Sequence, residues 1–259
     1  MINWLQMEGR QPSATKREGI IKVMSKRIWI VIVVVGVLAG VGFYLIRLRP
    51  AAARSLNVWE WLRHPQDHPD WAIQAGTLCG QAPFVMPTDG FIGYLWDDSF
   101  KLGHRHQGID IFAGSGVDET PVEAAYAGYL TRLPEWKSSV IVRIPQDPLQ
   151  PDRQIWVYYT HMADQAGNSF ISTEFPPGTT ETYIEEGTLL GFQGNFSGDP
   201  NNPVGVHLHF SIVKDDGQGK FLNELDIRNT LDPSPYLGLP LNATNYDGSI
   251  ITCKESAQN

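Results

Sequence analysis

Residues 205–212 read GVHLHFSI, with Val206, Leu208, Phe210 and Ile212 alternating with His207, His209 and Ser211. Alternate residues of a strand project to the same side. The spacing therefore predicts a strand with two imidazoles side by side on one face and apolar side chains on the other. The chain has only seven histidines, and five of them, His104, His106, His161, His207 and His209, fall at or beside strand-like segments. The run HQGID places His106 and Asp110 four residues apart. On a strand an even separation puts both on one face, where imidazole and carboxylate can converge on one ion. Gly108 and the neighbouring β-branched residues argue against a helix there. Two imidazoles and one carboxylate suit tetrahedral zinc with a fourth position open to water, the arrangement of a catalytic site. Both cysteines lie far from these motifs, against a closed structural site. Spacing alone leaves open which of the neighbouring histidines would be ligands.

The elements that must position these groups are mainly β. Short runs of β-branched and aromatic residues, punctuated by Gly, Pro and Asp, predict strands over 90–96, 107–113, 121–133 (two strands), 139–144, 154–162, 188–194 and 206–213. Residues 145–153 read as a Pro- and Asp-rich hairpin loop. Longer loops over 163–182 and 195–205 are of the kind that rims a binding site on a β scaffold. His64 and His68 stand four apart, but each lies close to a proline that spoils a regular helix, so 58–72 reads as a packed juxtamembrane segment. Of Tyr158 and Tyr159, one is expected in the core and the other beside the substrate.

Upstream, Ile28 to Ile46 holds 19 residues without a charge, close to what crosses a bilayer core of about 30 Å at 1.5 Å per residue. It exceeds the usual signal-peptide core of about 7–15 residues, so a retained anchor is expected rather than a secreted protein cleaved near the AAA at 51–53. Six Lys and Arg precede the run and three follow it, which favours the N-terminus inside and the bulk of the chain outside. A start at Met24 would weaken that bias. The expected organisation is a cytoplasmic segment (1–27), a transmembrane anchor (28–46), a linker and juxtamembrane segment (47–81), a main domain (82–240) and a C-terminal tail (241–259), in a single-pass protein of the cell membrane.

Charge follows the same division. Residues 1–54 carry 9 Lys and Arg against 2 Asp and Glu; residues 55–259 carry 11 against 26. So acidic a domain is a poor partner for nucleic acid, which rewards basic patches. Cys79 and Cys253 could tie the ends of the domain together in an oxidising compartment, but sequence leaves the distance between them open.

Four ordered stretches, HQGIDIFAGSGVDETPVEAAYAG, VYYTHM, EEGTLLGFQGNFSG and GVHLHFSI, resemble the zinc metalloendopeptidases of the lysostaphin/LytM type. The resemblance covers roughly residues 85–240 and reaches LDPSPYLG at 231–238. It implies a duplicated hybrid motif fold: a twisted antiparallel sheet, or barrel-sandwich hybrid, with a groove. It implies zinc held by His106, Asp110 and His209, with His161 and His207 as the two non-ligand active-site histidines; their division of labour stays open. His104 would then line the cleft or sit on the surface. The chemistry implied is hydrolysis of peptide bonds in peptidoglycan cross-links or stem peptides, because a bound divalent ion lowers the pKa of water. The stretch WDDSFKLGHR (96–105) and the loops at 145–153 and 163–182 depart from the family pattern, which bears on substrate preference. The alternative reading is a non-catalytic wall-binding or regulatory module of the same fold that activates another cell-wall hydrolase; five intact site positions count against it.

Overall fold

A computed structural model describes residues 26–99 and 104–253. Most of the expected cytoplasmic segment, part of the WDDSFKLGHR stretch and the last six residues of the expected tail lie outside them. The chain divides into two compact units, residues 1–43 and 44–259. The described part of the first is helical and exposed, and Lys26–Phe43 is long and apolar enough to cross a membrane.

The helix α1 is assigned over Lys26–Arg63, so residues 47–63 of the segment expected as linker and juxtamembrane stretch are helical. Within the second unit its last turns are amphipathic. Arg54, Val58 and Trp61, spaced i, i+4 and i+7, are all buried, the pattern of a helix with one face on a core. Val58 and Trp61 join Phe91 and Phe112 in a small apolar cluster. The Trp61 indole N–H donates to the Phe112 carbonyl at 2.7 Å. Arg54 pairs with the buried Asp98 through two contacts of 2.5 Å. The helix ends two residues before Pro65, whose ring disfavours helical geometry in the residue ahead of it.

The rest of the unit is a nine-stranded antiparallel sheet and a two-stranded one. In chain order the strands are β1 (Ala72–Ile73), β2 (Gly90–Tyr94), β3 (Ile109–Phe112), β4 (Pro121–Glu123), β5 (Gly128–Thr131), β6 (Val140–Ile144), β7 (Ile155–Thr160), β8 (Thr182–Ile184), β9 (Leu189–Phe192), β10 (Leu208–Lys214) and β11 (Thr230–Leu231). The large sheet runs β1-β2-β3-β10-β7-β6-β5-β8, with β11 on β10; β4 pairs with β9. Every strand segment expected from composition contains a strand. The short β1, β8 and β11 carry too few residues to leave a periodic signal.

Two registers position the site. β10 lies between β3 and β7, with His209 opposite Asp110 on one side and opposite Thr160 on the other. Directly opposed residues have Cβ atoms about 4.5–5.5 Å apart, so β10 carries His209 next to Asp110 and one residue short of His161. The other face of β10 presents Leu208, Phe210 and Ile212 to the main core, with Ile109, Ile111, Val157 and Tyr159. At roughly 1.5–3 kcal/mol for each fully buried large apolar side chain, that face is what makes a slip of register costly.

Residues from before 82 and after 240 pack into the main core. Ile73, Cys79, Leu241 and Ile251 all belong to the main core. Cys79 and Cys253, 174 residues apart in sequence, are joined by a disulfide with a Cα–Cα distance of 5.3 Å.

Candidate metal centre

His106, Asp110 and His209 converge, although their positions span about a hundred residues. His106 lies in the coil ahead of β3, Asp110 within β3 and His209 within β10. His106 Nε2 is 3.0 Å from His209 Nδ1 and 3.1 Å from Asp110 Oδ1, and His209 Nδ1 is 2.9 Å from the same oxygen. The three atoms form a nearly equilateral triangle. Gly108 lets His106 and Asp110 share this side: a Cβ at that position would stand 2.2 Å from the Phe210 carbonyl oxygen of β10. Only glycine permits the two backbones to approach so closely.

Hydrogen bonds behind the rings determine which nitrogen faces inward. A carbonyl oxygen can only accept, so His106 Nδ1–H donates to Leu95 O at 2.9 Å, leaving its Nε2 lone pair directed into the triangle. His209 Nε2 is 2.9 Å from Glu224 Oε1; with its N–H donated there, the Nδ1 lone pair points inward. Two imidazole lone pairs and a carboxylate oxygen thus face one another at hydrogen-bond range inside a buried site. Three donors of electron pairs so placed could hold a metal ion between them. Tetrahedral zinc, at about 2.0–2.1 Å from N and O, separates neighbouring ligand atoms by about 3.3 Å. The triangle fits one face of such a tetrahedron with little adjustment.

Burial would raise the Asp110 pKa, but the neighbouring His106 and His207 and the hydrogen bonds from His106 and His209 hold it well below the usual carboxylate range. Burial opposes a proton on His209, but its hydrogen bonds to Asp110 and Glu224 outweigh that and push it up to about 10, so with no ion between them a proton on Nδ1 bridges to Asp110, and a metal ion would have to displace it to reach the lone pair. Burial would also raise Glu224, whose hydrogen bond and attraction to His209 keep it low. Glu224, in the loop after β10, carries no sequence signal of its own. Only its place behind His209 marks it as functional, in the way outer carboxylates set the tautomer of metal-binding histidines.

His161 and His207 flank the triangle on its open side. Their ring centroids are 4.5 Å apart, and His207 Nε2 is 3.6 Å from Asp110 Oδ1. His161 Nδ1–H donates to Phe196 O and His207 Nδ1–H to Gly205 O, both at 2.6 Å. Both Nε2 atoms are thus left as acceptors. Burial, helped by the neighbouring His207 and His209, lowers His161 to about 3, and burial lowers His207 as well. His161 directly follows β7 with φ of 75°, a left-handed conformation that is uncommon outside glycine and clusters at functional sites. His207 lies just ahead of β10 rather than in it, and its ring stacks on Phe112 at 4.8 Å.

All five residues line one cavity of about 770 Å³. Its β6–β7 side carries Ser138, Ser139, Tyr158 and Thr160. Tyr158 donates to Ser139 Oγ at 2.8 Å, whereas Tyr159 is fully buried with its hydroxyl accepting from the Ala125 N–H. The two tyrosines therefore divide between cleft and core. His104 stands 6.5 Å ring-to-ring from His106 and is not part of the triangle.

No protein-family model matches the chain, and no curated protein matches it. Among solved structures, lysostaphin from Staphylococcus simulans aligns at 19% identity over 64% of this chain and 55% of that chain, with a TM-score of 0.38. The matched region thus spans little more than half of lysostaphin. The catalytic domain of the same antimicrobial peptidase aligns at 20% identity over 57% of this chain and 90% of that chain, with a TM-score of 0.36. A catalytic domain of a prophage-encoded M23 protein from Enterococcus faecalis, in a substituted form, aligns at 20% identity over 57% and 95%, with a TM-score of 0.33.

Proposed function

We propose that this chain is a zinc metalloendopeptidase that hydrolyses peptide bonds in peptidoglycan cross-links or stem peptides. The observation that carries the reading is the triangle of His106 Nε2, Asp110 Oδ1 and His209 Nδ1, with edges of 2.9–3.1 Å and the outer N–H of each imidazole already donated elsewhere. The four ordered sequence motifs supply the substrate class. His106, Asp110 and His209 would hold the ion. When bound there, zinc supplies Lewis-acid activation of water and of the scissile carbonyl.

His161 and His207 supply the proton transfers. Both are kept neutral by burial and present Nε2 lone pairs to the cavity. One Nε2 accepts the proton of the attacking water. That ring, now an Nε2–H donor, then returns the proton to the departing amine. Phe196 and Gly205 hold both rings in the tautomer that leaves Nε2 able to accept a proton.

The apolar stretch of α1 anchors the protein in the cell membrane as a single-pass span, with the β domain outside the cytoplasm. The disulfide between Cys79 and Cys253 supports that placement, since such bonds persist in oxidising compartments. The full-length chain should bind about one zinc per molecule and release peptide fragments from purified peptidoglycan in a chelator-sensitive reaction, read by mass spectrometry. A zinc-loaded protein that releases nothing from any wall type would refute the enzymatic reading and favour a binding module.

A further inference from the structure

The cavity that holds the triangle is not built from the β domain alone. Val58, Trp59 and Leu62, from the last turns of α1, line it together with His106, Asp110 and His207. These turns are seated, not merely adjacent. Arg54 is tied to Asp98, and Trp61 to the Phe112 carbonyl. A Cβ on Gly93 of β2 would come within 2.4 Å of Val58 Cγ2, so the sheet is shaped to receive the helix at that point. Trp59 nevertheless remains 58% exposed beside the cavity, and Leu225, which also lines it, is 75% exposed. The guanidinium of Arg63 lies 5.4 Å from the Trp59 ring centroid, which steadies the indole. Val204 and Gly205 complete a wall that carries no charge, whereas the opposite side is lined with hydroxyl groups.

We propose that the C-terminal turns of α1 form an apolar subsite of the peptidase groove, in which Trp59, Val58 and Leu62 hold the uncharged peptide segment flanking the scissile bond. The inference rests on the peptidase reading for the identity of the occupant. It assigns to the helix that follows the apolar span a direct part in substrate selection. The wall and the reacting groups share one cavity, so a chain positioned for cleavage at the triangle must run past one wall or the other. An exposed indole on an uncharged wall of the groove gains most from burying apolar peptide surface.

The test is equilibrium binding, which does not depend on turnover. The probe is the set of sugar-free cross-linked stem peptides released from purified peptidoglycan by an amidase. They are titrated by calorimetry into the zinc-loaded, detergent-solubilised full-length His207→Ala protein. Adding Trp59→Ala should weaken binding roughly tenfold, as expected for truncating a central aromatic anchor. Trp59→Phe should restore most of the affinity, and Leu56→Ala, on the same helix but outside the cavity, should match the parent. Zinc stoichiometry and thermal melts should be the same in all four proteins. The proposal is overturned if Trp59→Ala binds as tightly as the parent, if Leu56→Ala weakens binding equally, or if the parent binds only sugar-bearing fragments or none. Cleavage by the wild-type chain is scored separately, so a dead enzyme that still shows the Trp59 dependence would refute the catalytic reading and leave the subsite standing.

Discussion

Replacing Glu224 should expose how much of the metal affinity is set from behind the ligand. Its Oε1 accepts the His209 Nε2 hydrogen at 2.9 Å, and Ser211 Oγ donates to the same oxygen at 3.3 Å. In Glu224→Ala the imidazole keeps its place opposite Asp110, because the β3–β10 register is unchanged. It loses, however, the acceptor that turns Nδ1 toward the triangle. Removing such a partner typically weakens metal binding 10–100-fold, which at 1.4 kcal/mol per decade is about 1.4–2.8 kcal/mol. Glu224→Gln retains a carbonyl-type acceptor for the same hydrogen and should lose the smaller part of that. The assay is competition for zinc against a fluorescent chelator with the full-length chain, accompanied by melts to show that the variants fold. Affinity within twofold of wild type in Glu224→Ala would refute the orienting role. Equal losses in the Ala and Gln variants would show that the charge of Glu224, and not its acceptor, is what matters.

Three further outcomes follow from the structure. Asp110→Ala and His209→Ala should each lose both zinc and peptide release, whereas His207→Ala should keep zinc and lose about 10²–10⁴-fold in turnover; a His207 variant that cleaves at the normal rate would overturn its assignment. Arg54→Met should destabilise the domain by roughly 3–5 kcal/mol in urea unfolding, because it leaves the buried Asp98 carboxylate without its partner; a loss below 1 kcal/mol would mean that the α1 turns are not pinned as described. Burial would raise the Asp215 pKa, but hydrogen bonds from Trp156, Gln154 and the backbone of Gly217 and Gly219 lower it instead. A depressed carboxylate stabilises the fold above its unfolded pKa of about 3.9 and loses that contribution as pH falls through its folded value. The stability gap between wild type and Asp215→Ala should therefore be full at pH 7 and close below about pH 4, and a pH-independent gap would contradict it.

Much of the site was legible in the chain because its information is local. Alternation along GVHLHFSI and HQGID places His209 and Asp110 on the faces of β10 and β3 turned from the core, whereas His106 and His207 lie just ahead of those strands. The apolar residues between them then force those faces away from the core, whatever the neighbouring strands are. Composition likewise marked the strand-bearing segments and the apolar run of α1. Pairing across the fold is not local. That Asp110 stands opposite His209 depends on the β3–β10 register, which is set by how Ile109, Ile111 and Phe210 pack. Glu224 has no periodic context; only the course of the loop after β10 brings its carboxylate to the back of His209. The helical course of residues 50–63 was obscured by Pro50 and by aromatic residues with no obvious partner, until the cluster around Phe91 and Phe112 supplied one. Cys79 and Cys253 are similar: their types permitted a bond, and only packing of both ends of the domain against one core brought the sulfurs together. Sequence spacing thus settles which way a side chain faces within its own element, while the tertiary structure decides what it meets, because distance between elements is the outcome of packing the whole chain at once.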